Sequence, residues 1–216
     1  MKKNIILVGP PNAGKGTLAK QLVTSYSFIH ISTGDMFRDA ISAGTSLGNL
    51  AKSYIDKGDL VPDEVTIGLV KERISKDDCK NGFLLDGFPR TLPQARALAI
   101  MCEEIKLPID AVINVDCERE ELFRRVLGRR VCRKCGAPYN VNTRKPKVEG
   151  VCDLCGGELY QRADDNEEAL KVRLAHYEHD TKPILDFYNA SGLLESFDAV
   201  VGSEKLFDQV SVFLKK

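Results

Sequence analysis

Apolar residues in this chain are grouped in short unbroken runs, and between the runs they recur at helical spacing. Ile5-Ile6-Leu7-Val8, Phe28-Ile29-His30-Ile31, Gly82-Phe83-Leu84-Leu85, Ala111-Val112-Ile113-Asn114-Val115 and Leu193-Leu194-Glu195-Ser196-Phe197 each have the length of a strand. A run that is apolar at nearly every position is covered on both faces, as in a parallel sheet under helices. The intervening segments place Met36, Phe37 and Ile41, then Leu47, Leu50, Ala51, Tyr54 and Ile55, then Val65, Ile67, Leu69, Val70 and Ile74 on helical stripes. Strand alternating with helix predicts an α/β fold with a five-stranded parallel sheet flanked by helices.

Local punctuation agrees with this pattern. Ser32 or Thr33 can cap the helix that Gly44 stops, and Thr45 starts another that ends near Gly58. The two short helices between Ser32 and Val61 read as a small appendage on the sheet. Asp63-Glu64 opens the next helix, and Pro93 sits in the first turn of a helix running from Thr91 to Lys106. Leu170, Leu174, Tyr177, Ile184 and Leu185 mark a long helical stripe that Pro183 should kink or restart, with Arg173 off the stripe. Gly202-Ser203 opens a terminal helix with Leu206, Phe207, Val210 and Leu214.

The first strand runs straight into Gly9-Pro10-Pro11-Asn12-Ala13-Gly14-Lys15-Gly16-Thr17, ahead of an amphipathic helix. A glycine-rich turn in that setting aims successive N–H groups at one spot, and the helix dipole adds positive potential there. The spot suits a phosphate chain, with Lys15 reaching the outer phosphates as a point charge. The residue after the lysine is Gly16, where the general phosphate loop carries the magnesium-binding Ser or Thr, and Thr17 follows one step later.

Composition narrows the setting. The chain has 216 residues, 43% hydrophobic and 29% charged, with zero formal net charge. That excludes a global electrostatic argument for nucleic acid or an anionic membrane, so phosphate binding must come from local arginines. The apolar run behind Met1-Lys2-Lys3-Asn4 is too short for a secretory signal and enters the phosphate loop directly. A cytosolic protein is expected. In a reducing compartment its seven cysteines point to metal binding and buried thiols instead of a disulfide framework.

Three further stretches carry chemistry. Phe83-Leu84-Leu85-Asp86 reads as a buried strand ending in a carboxylate, and ligands bind beyond the carboxyl ends of such strands. Asp86 should therefore face the crevice of Lys15 and serve magnesium, directly or through water. Arg124, Arg125, Arg129 and Arg130 follow the fourth strand; the spacing puts Arg125 and Arg129 on one helical face, suited to stabilising a transferring phosphoryl group. Cys132-Arg133-Lys134-Cys135 and Cys152-Asp153-Leu154-Cys155 lie sixteen residues apart, which is zinc-ribbon spacing. Four thiolates fill a tetrahedral shell, so such a zinc is structural. Cys79, Cys102 and Cys117 read as core or surface thiols, and His176 and His179 as surface or packing residues.

These stretches, with Ile31-Ser32-Thr33-Gly34-Asp35-Met36, Asp86-Gly87-Phe88-Pro89-Arg90-Thr91, Gly128-Arg129-Arg130-Val131 and Glu158-Leu159-Tyr160-Gln161-Arg162-Ala163-Asp164-Asp165, together resemble the adenylate kinases of the long bacterial form with a zinc-binding lid. The likeness covers nearly the whole chain. It implies a P-loop nucleoside monophosphate kinase fold with two insertions: a core of residues 1–31, 62–127 and 166–216, an AMP-binding insertion of 32–61, and a zinc-ribbon lid of 128–165. The implied reaction is Mg-ATP plus AMP giving two ADP, by a cytoplasmic monomer that binds neither nucleic acid nor membrane.

By the same resemblance Asn12, Ala13, Gly14, Lys15, Gly16, Thr17, Arg129, Pro138, Tyr139 and Glu204 fall at ATP positions. Thr33, Arg38, Asp59, Leu60, Val61, Gly87, Phe88, Pro89, Arg90, Gln94, Arg162 and Arg173 fall at AMP positions. The catalytic set is Lys15, Asp86, Arg90, Arg125, Arg129, Arg162 and Arg173, the zinc ligands are Cys132, Cys135, Cys152 and Cys155, and Mg2+ accompanies ATP. The chain departs from the family pattern at Tyr139–Pro146, at Val200-Val201-Gly202, and at Cys155, where some relatives use Asp. The alternatives are a pyrimidine nucleoside monophosphate kinase, or a P-loop protein whose zinc ribbon contacts nucleic acid.

Overall fold

The computed structural model describes all residues from Met1 to Lys216. The chain begins with β1 (Asn4–Val8), α1 (Lys15–Tyr26), β2 (Ile29–Ser32), α2 (Thr33–Ser42), α3 (Ser46–Ile55) and α4 (Asp63–Ile74). It continues through β3 (Phe83–Asp86), α5 (Leu92–Glu104), β4 (Ala111–Asp116), α6 (Arg119–Gly128), β5 (Arg129–Cys132), β6 (Pro138–Asn140) and β7 (Leu159–Tyr160). It closes with α7 (Glu167–His176), α8 (Pro183–Ala190), β8 (Leu194–Asp198) and α9 (Ser203–Lys215).

The five long-range strands form one parallel sheet in the order β2-β3-β1-β4-β8. Ile5 pairs with Leu84 on one side and Ala111 on the other, so β1 is central. The apolar runs of β1, β3 and β4 are explained by burial on both faces, whereas β2 and β8, at the sheet edges, are partly exposed. Ile5 and Leu7 join Leu84, Ile113 and Val115 in a core with α1, α6, α7 and α9, while Ile6 and Val8 join Phe83, Leu85 and Val112 in a second core with α4, α5 and α8. Each fully buried Ile or Leu contributes roughly 1.5–3 kcal/mol from apolar burial. The chain builds β2 and β3 on one side of β1 and then crosses to β4 and β8. That reversal opens a crevice at the carboxyl ends of the strands.

Capping follows the sequence. Ser32, Thr45, Thr91 and Asn166 each accept a hydrogen bond from the backbone N–H three residues on, and such a cap contributes about 1 kcal/mol. α2 and α3 pack so closely that a Cβ at Gly48 would stand 2.1 Å from the Ala40 carbonyl oxygen. Phe37, Ala51 and Val61 give this pair a small core of its own. The long stripe through Pro183 does break. α7 stops at His176, a single π-helical turn spans Tyr177–Thr181, and α8 restarts with Pro183 in its first turn, where its missing N–H has no partner to lose.

Residues 129–160 build a separate antiparallel sheet, β6-β5-β7, around Cys132, Ala137, Tyr139, Cys152 and Leu159. This corrects one expectation. Arg125 and Arg129 do not share a helical face, because α6 ends at Gly128 and Arg129 is already extended, paired with Asn140. A Cβ at Gly128 would lie 2.7 Å from Asn140 Oδ1, so glycine is what lets the helix give way to the strand beside β6. Cys79, Cys102 and Cys117 are buried thiols of the main cores. No helix is long and apolar enough to cross a membrane.

Candidate active site

β1 delivers the phosphate loop into the crevice. At Gly9 (φ 137°) an added Cβ would sit 2.2 Å from the Val115 carbonyl oxygen, so only glycine lets the loop pass β4. Lys15 Nζ donates to the carbonyls of Gly9 and Pro10, each at 2.7 Å, which folds the ammonium into the loop. No side chain caps α1, whose N-cap is Gly14, so the Lys15 and Gly16 amides are left for an anion. Both side-chain polar atoms of Asn12 are buried without a partner, a further sign of a site built for a polar ligand.

Burial lowers the Lys15 pKa to about 8; Asp86 opposes this, and Arg90, Arg173 and Arg129 add to it. Asp86 closes β3 opposite Leu7 and Ser32. Burial pushes its carboxyl upward, but His30 and Lys15 outweigh that and hold it below the ordinary value, so it stays ionised. His30 Nε2 lies 3.7 Å from Asp86 Oδ2. The sequence showed His30 only as a strand residue; its place beside Asp86 depends on β2 and β3 being neighbours.

A cleft of about 980 Å³ opens here, lined by the phosphate loop, Asp86, Arg38, Arg90, Arg125, Arg129, Arg162 and Arg173. Pro138, Tyr139 and Glu204 also line it. A smaller pocket of about 70 Å³ is bounded by Thr33, Arg38, Asp59, Leu60, Val61, Gly87, Arg90, Gln94 and Arg173. Arg38, Arg90 and Arg173 belong to both walls. Pro89 lines the large cleft, while the Phe88 side chain is fully buried in the sheet core, leaving only its backbone near the site.

Each guanidinium is held by a named acceptor. Arg90 Nε donates to the Gly87 carbonyl at 2.8 Å, which also accepts from Thr33 Oγ1 at 2.9 Å. Arg38 pairs with Asp35 at 2.6 Å, and Arg162 reaches the same carboxylate at 3.5 Å. Arg173 pairs with Asp164 at 2.9 Å, and Arg129 forms a two-pronged pair with Asp165. Burial pushes the Arg173 pKa down to about 10 despite Asp164. Crowded, partly desolvated cations of this kind gain most when polyanions enter between them.

Three of the expected site residues have their polar groups committed within the chain. Arg125 donates to Glu121, to the Ala13 carbonyl at 2.7 Å and to the Ala199 carbonyl at 2.9 Å, which braces the phosphate loop. Gln94 accepts from the Arg90 N–H at 2.7 Å and donates to Asp63 Oδ1 at 2.7 Å. Tyr139 is packed into the ribbon core, its hydroxyl accepting from the Asp153 N–H at 2.8 Å and lying 3.5 Å from Cys152 Sγ.

The four ribbon sulfurs, of Cys132, Cys135, Cys152 and Cys155, lie within 4.8 Å of one another. Two of the sulfur pairs stand at 3.5 and 3.6 Å. A tetrahedral zinc with bonds of about 2.3 Å needs sulfurs about 3.8 Å apart, so the thiols fit that ion. Gly157 comes close behind them, since a Cβ there would be 2.9 Å from Cys132 Sγ.

Sequence reasoning gave no role to Asp35, Asp164 or Asp165, although all three stood in motifs that carry the family resemblance. Their common signal is position: each is a carboxylate one to a few residues from an arginine already singled out. Lys20 was also missed; from α1 its Nζ donates to the Gly136 carbonyl, at the first cysteine knuckle.

The sequence profile described as "Adenylate kinase" matches residues 7–193. The adenylate kinase of Carboxydothermus hydrogenoformans is 53% identical over 98% of this chain and 99% of its own length. That of Methanosarcina barkeri is 51% identical over 99% of both chains, and that of Staphylococcus aureus is 56% identical over 95% of this chain and 94% of its own. A profile spanning most of the chain, relatives above half identity along its full length, and a phosphate loop facing a ring of arginines lead to one conclusion: the chain belongs to the adenylate kinase family.

Proposed function

We propose that this protein transfers a phosphoryl group reversibly from magnesium-bound ATP to AMP, giving two ADP. The observation that carries the reading is the junction of the two pockets at Arg38, Arg90 and Arg173. A triphosphate laid along the phosphate loop and a monophosphate in the small pocket would meet there. Repulsion between the two polyanions is the main obstacle to an in-line transfer, and converging guanidiniums offset it. Arginine suits the task because its planar fork grips two oxygens at once.

In this reading Lys15 and Arg129 act on the ATP phosphates, with Asn12–Thr17, Pro138, Tyr139 and Glu204 around the donor. Thr33, Arg38, Asp59–Val61, Gly87–Arg90 and Gln94 surround the acceptor, while Arg162 and Arg173 bridge the two. Arg125 serves indirectly, by bracing the loop at Ala13. Asp86 would hold magnesium through water, and the ion when bound neutralises phosphate charge. Zinc on Cys132, Cys135, Cys152 and Cys155 would hold the ribbon together.

Residues 1–31, 62–127 and 166–216 act as the core, 32–61 as the acceptor arm and 128–165 as a lid. Arg162 to Asp35 joins lid to arm, and Lys20 to Gly136 joins core to lid, which supports a lid that shuts over both nucleotides. Closure excludes water, which would otherwise take the phosphoryl group. The protein works as a monomer in the cytoplasm, where reduced thiols remain free to bind metal.

The test is ADP formation from Mg-ATP with AMP, UMP and CMP in turn. AMP should give the highest kcat/KM. A higher value with UMP or CMP would overturn the specificity and make the chain a pyrimidine nucleoside monophosphate kinase.

A further inference from the structure

His176 ends α7 at the point where the chain turns into the π-helical Tyr177–Thr181. Its two ring nitrogens face two different carboxylates. Nδ1 lies 2.8 Å from Asp180 Oδ2, one turn on, and Nε2 lies 3.2 Å from Asp59 Oδ1, which comes from the loop after α3. Ionised carboxylates only accept hydrogen bonds, and a neutral imidazole has a single N–H to donate. Both contacts can therefore be made at once only by the imidazolium.

The loop that His176 reaches is the one that bounds the small pocket. Gly58, Asp59, Leu60 and Val61 all line it. Gly58 is pressed against α7 (φ 83°), where a Cβ would stand 2.9 Å from the Ala169 carbonyl oxygen and 3.3 Å from Arg173 Cγ. This loop thus meets α7 along a short seam, and Asp59 to His176 is the charged contact at its end.

We propose that His176 is a positioning residue whose imidazolium ties the acceptor arm to the core through Asp59, making the grip on the acceptor nucleotide dependent on pH. This deepens the assignment of the small pocket to AMP and rests on it. The charged groups around the ring are Asp59 from the arm and Asp180 from the π-helical turn. His179 stands behind Asp180, on Oδ1 at 2.7 Å, and Arg173, one turn earlier on α7, is turned to Asp164. Hydrogen bonds to Asp180 and then Asp59 raise the His176 pKa above its ordinary value despite partial burial. For a raised group the tie is complete below the ordinary value near pH 6.5 and is lost as the pH climbs through the folded value. When the ring is neutral, Asp180 is the contact to survive, being shorter and on an adjoining turn, so Asp59 is the one released.

The experiment pairs two readouts on the full-length, metal-loaded protein. First, the His176 ring is titrated by NMR in the wild type and in Asp59→Asn. Its pKa should fall in the variant, and an unchanged value would show that Asp59 exerts no hold on the ring. Second, KM for AMP and kcat are measured from pH 6 to pH 9 in the wild type, His176→Arg, which stays charged, and His176→Gln, which does not. Because AMP itself ionises near the start of this range, each variant is compared with the others at the same pH. KM for AMP in the wild type should match His176→Arg at low pH and rise about fivefold toward His176→Gln at high pH, with kcat nearly unchanged. Superimposable KM profiles in all three proteins would overturn the proposal. If instead AMP is not an acceptor for any of them, the pocket assignment fails, while the NMR titration still reports on the tie.

Discussion

Arg173 Nη1 lies 2.9 Å from Asp164 Oδ2, so a cation on the core helix α7 is held by a carboxylate that follows the ribbon's last strand. The pair fixes the guanidinium at the junction of the two pockets before any phosphate arrives. Asp164→Asn keeps the shape and removes the charge. It should lower kcat about tenfold by loosening Arg173, and lower Tm by leaving a buried guanidinium uncompensated. Burial pushes Asp164 up, but Arg173 and Arg129 outweigh it, and the carboxyl sits below its ordinary value. Its stabilising contribution is thus present above about pH 4 and is lost as the pH falls further. An Asp164→Asn enzyme with the wild-type kcat and the same acid unfolding midpoint would contradict this role.

Lys15 and Arg129 both line the cleft that holds the proposed transfer path. Both should act mainly on charge that develops during transfer. Lys15→Ala and Arg129→Ala should each reduce kcat more than they raise the KM for ATP, with the Arg129 loss reaching about a thousandfold. Steady-state kinetics of each variant checks this, and a normal kcat with only a raised KM would make the residue a binding group alone.

The lowered pKa of Lys15, about 8, has a signature in the pH profile of the free enzyme. As the pH rises past that value the ammonium loses its proton, and kcat/KM for ATP should decline. The profile of kcat should bend at higher pH, because bound phosphates restore the proton. A kcat/KM that stays level to pH 10 would show that Lys15 remains charged throughout.

The ribbon core contains only five buried residues, two of them proposed zinc ligands. So little apolar surface cannot hold the unit, and metal binding must supply much of its folding free energy. Cys152→Ser, or a strong chelator, should lower the ribbon's melting temperature while the parallel sheet stays folded on its own two cores. Some transfer activity should survive at low temperature, since Lys15, Asp86 and Arg90 lie outside the ribbon. Elemental analysis of gently purified protein should find one zinc per chain. Activity lost at once on chelation, with Tm unchanged, would point to a catalytic metal instead.

Much of this molecule was legible in its sequence because the signals were local. Unbroken apolar runs mark strands covered on both faces, and Ile5 and Ile6 duly point into opposite cores. The phosphate loop and the paired cysteine knuckles are short motifs whose geometry is set within a few residues. Ser32 and Thr45 cap helices as their chemistry requires. The acidic partners of the arginines were a different matter. Spacing put Arg125 and Arg129 on one helical face, yet strand pairing with Asn140 takes Arg129 out of the helix and packing commits Arg125 to the Ala13 and Ala199 carbonyls. Periodicity reports which way a side chain leaves its own element, but not which distant charge it will meet. His30 meets Asp86 only because β2 lies next to β3, and His176 meets Asp59 only because the arm folds back onto α7. The sequence by itself determined the elements, the phosphate cradle and the metal knuckles. The pairing of charges across the cleft was decided by the tertiary structure, since electrostatic partners are set by distance in space and not by separation along the chain.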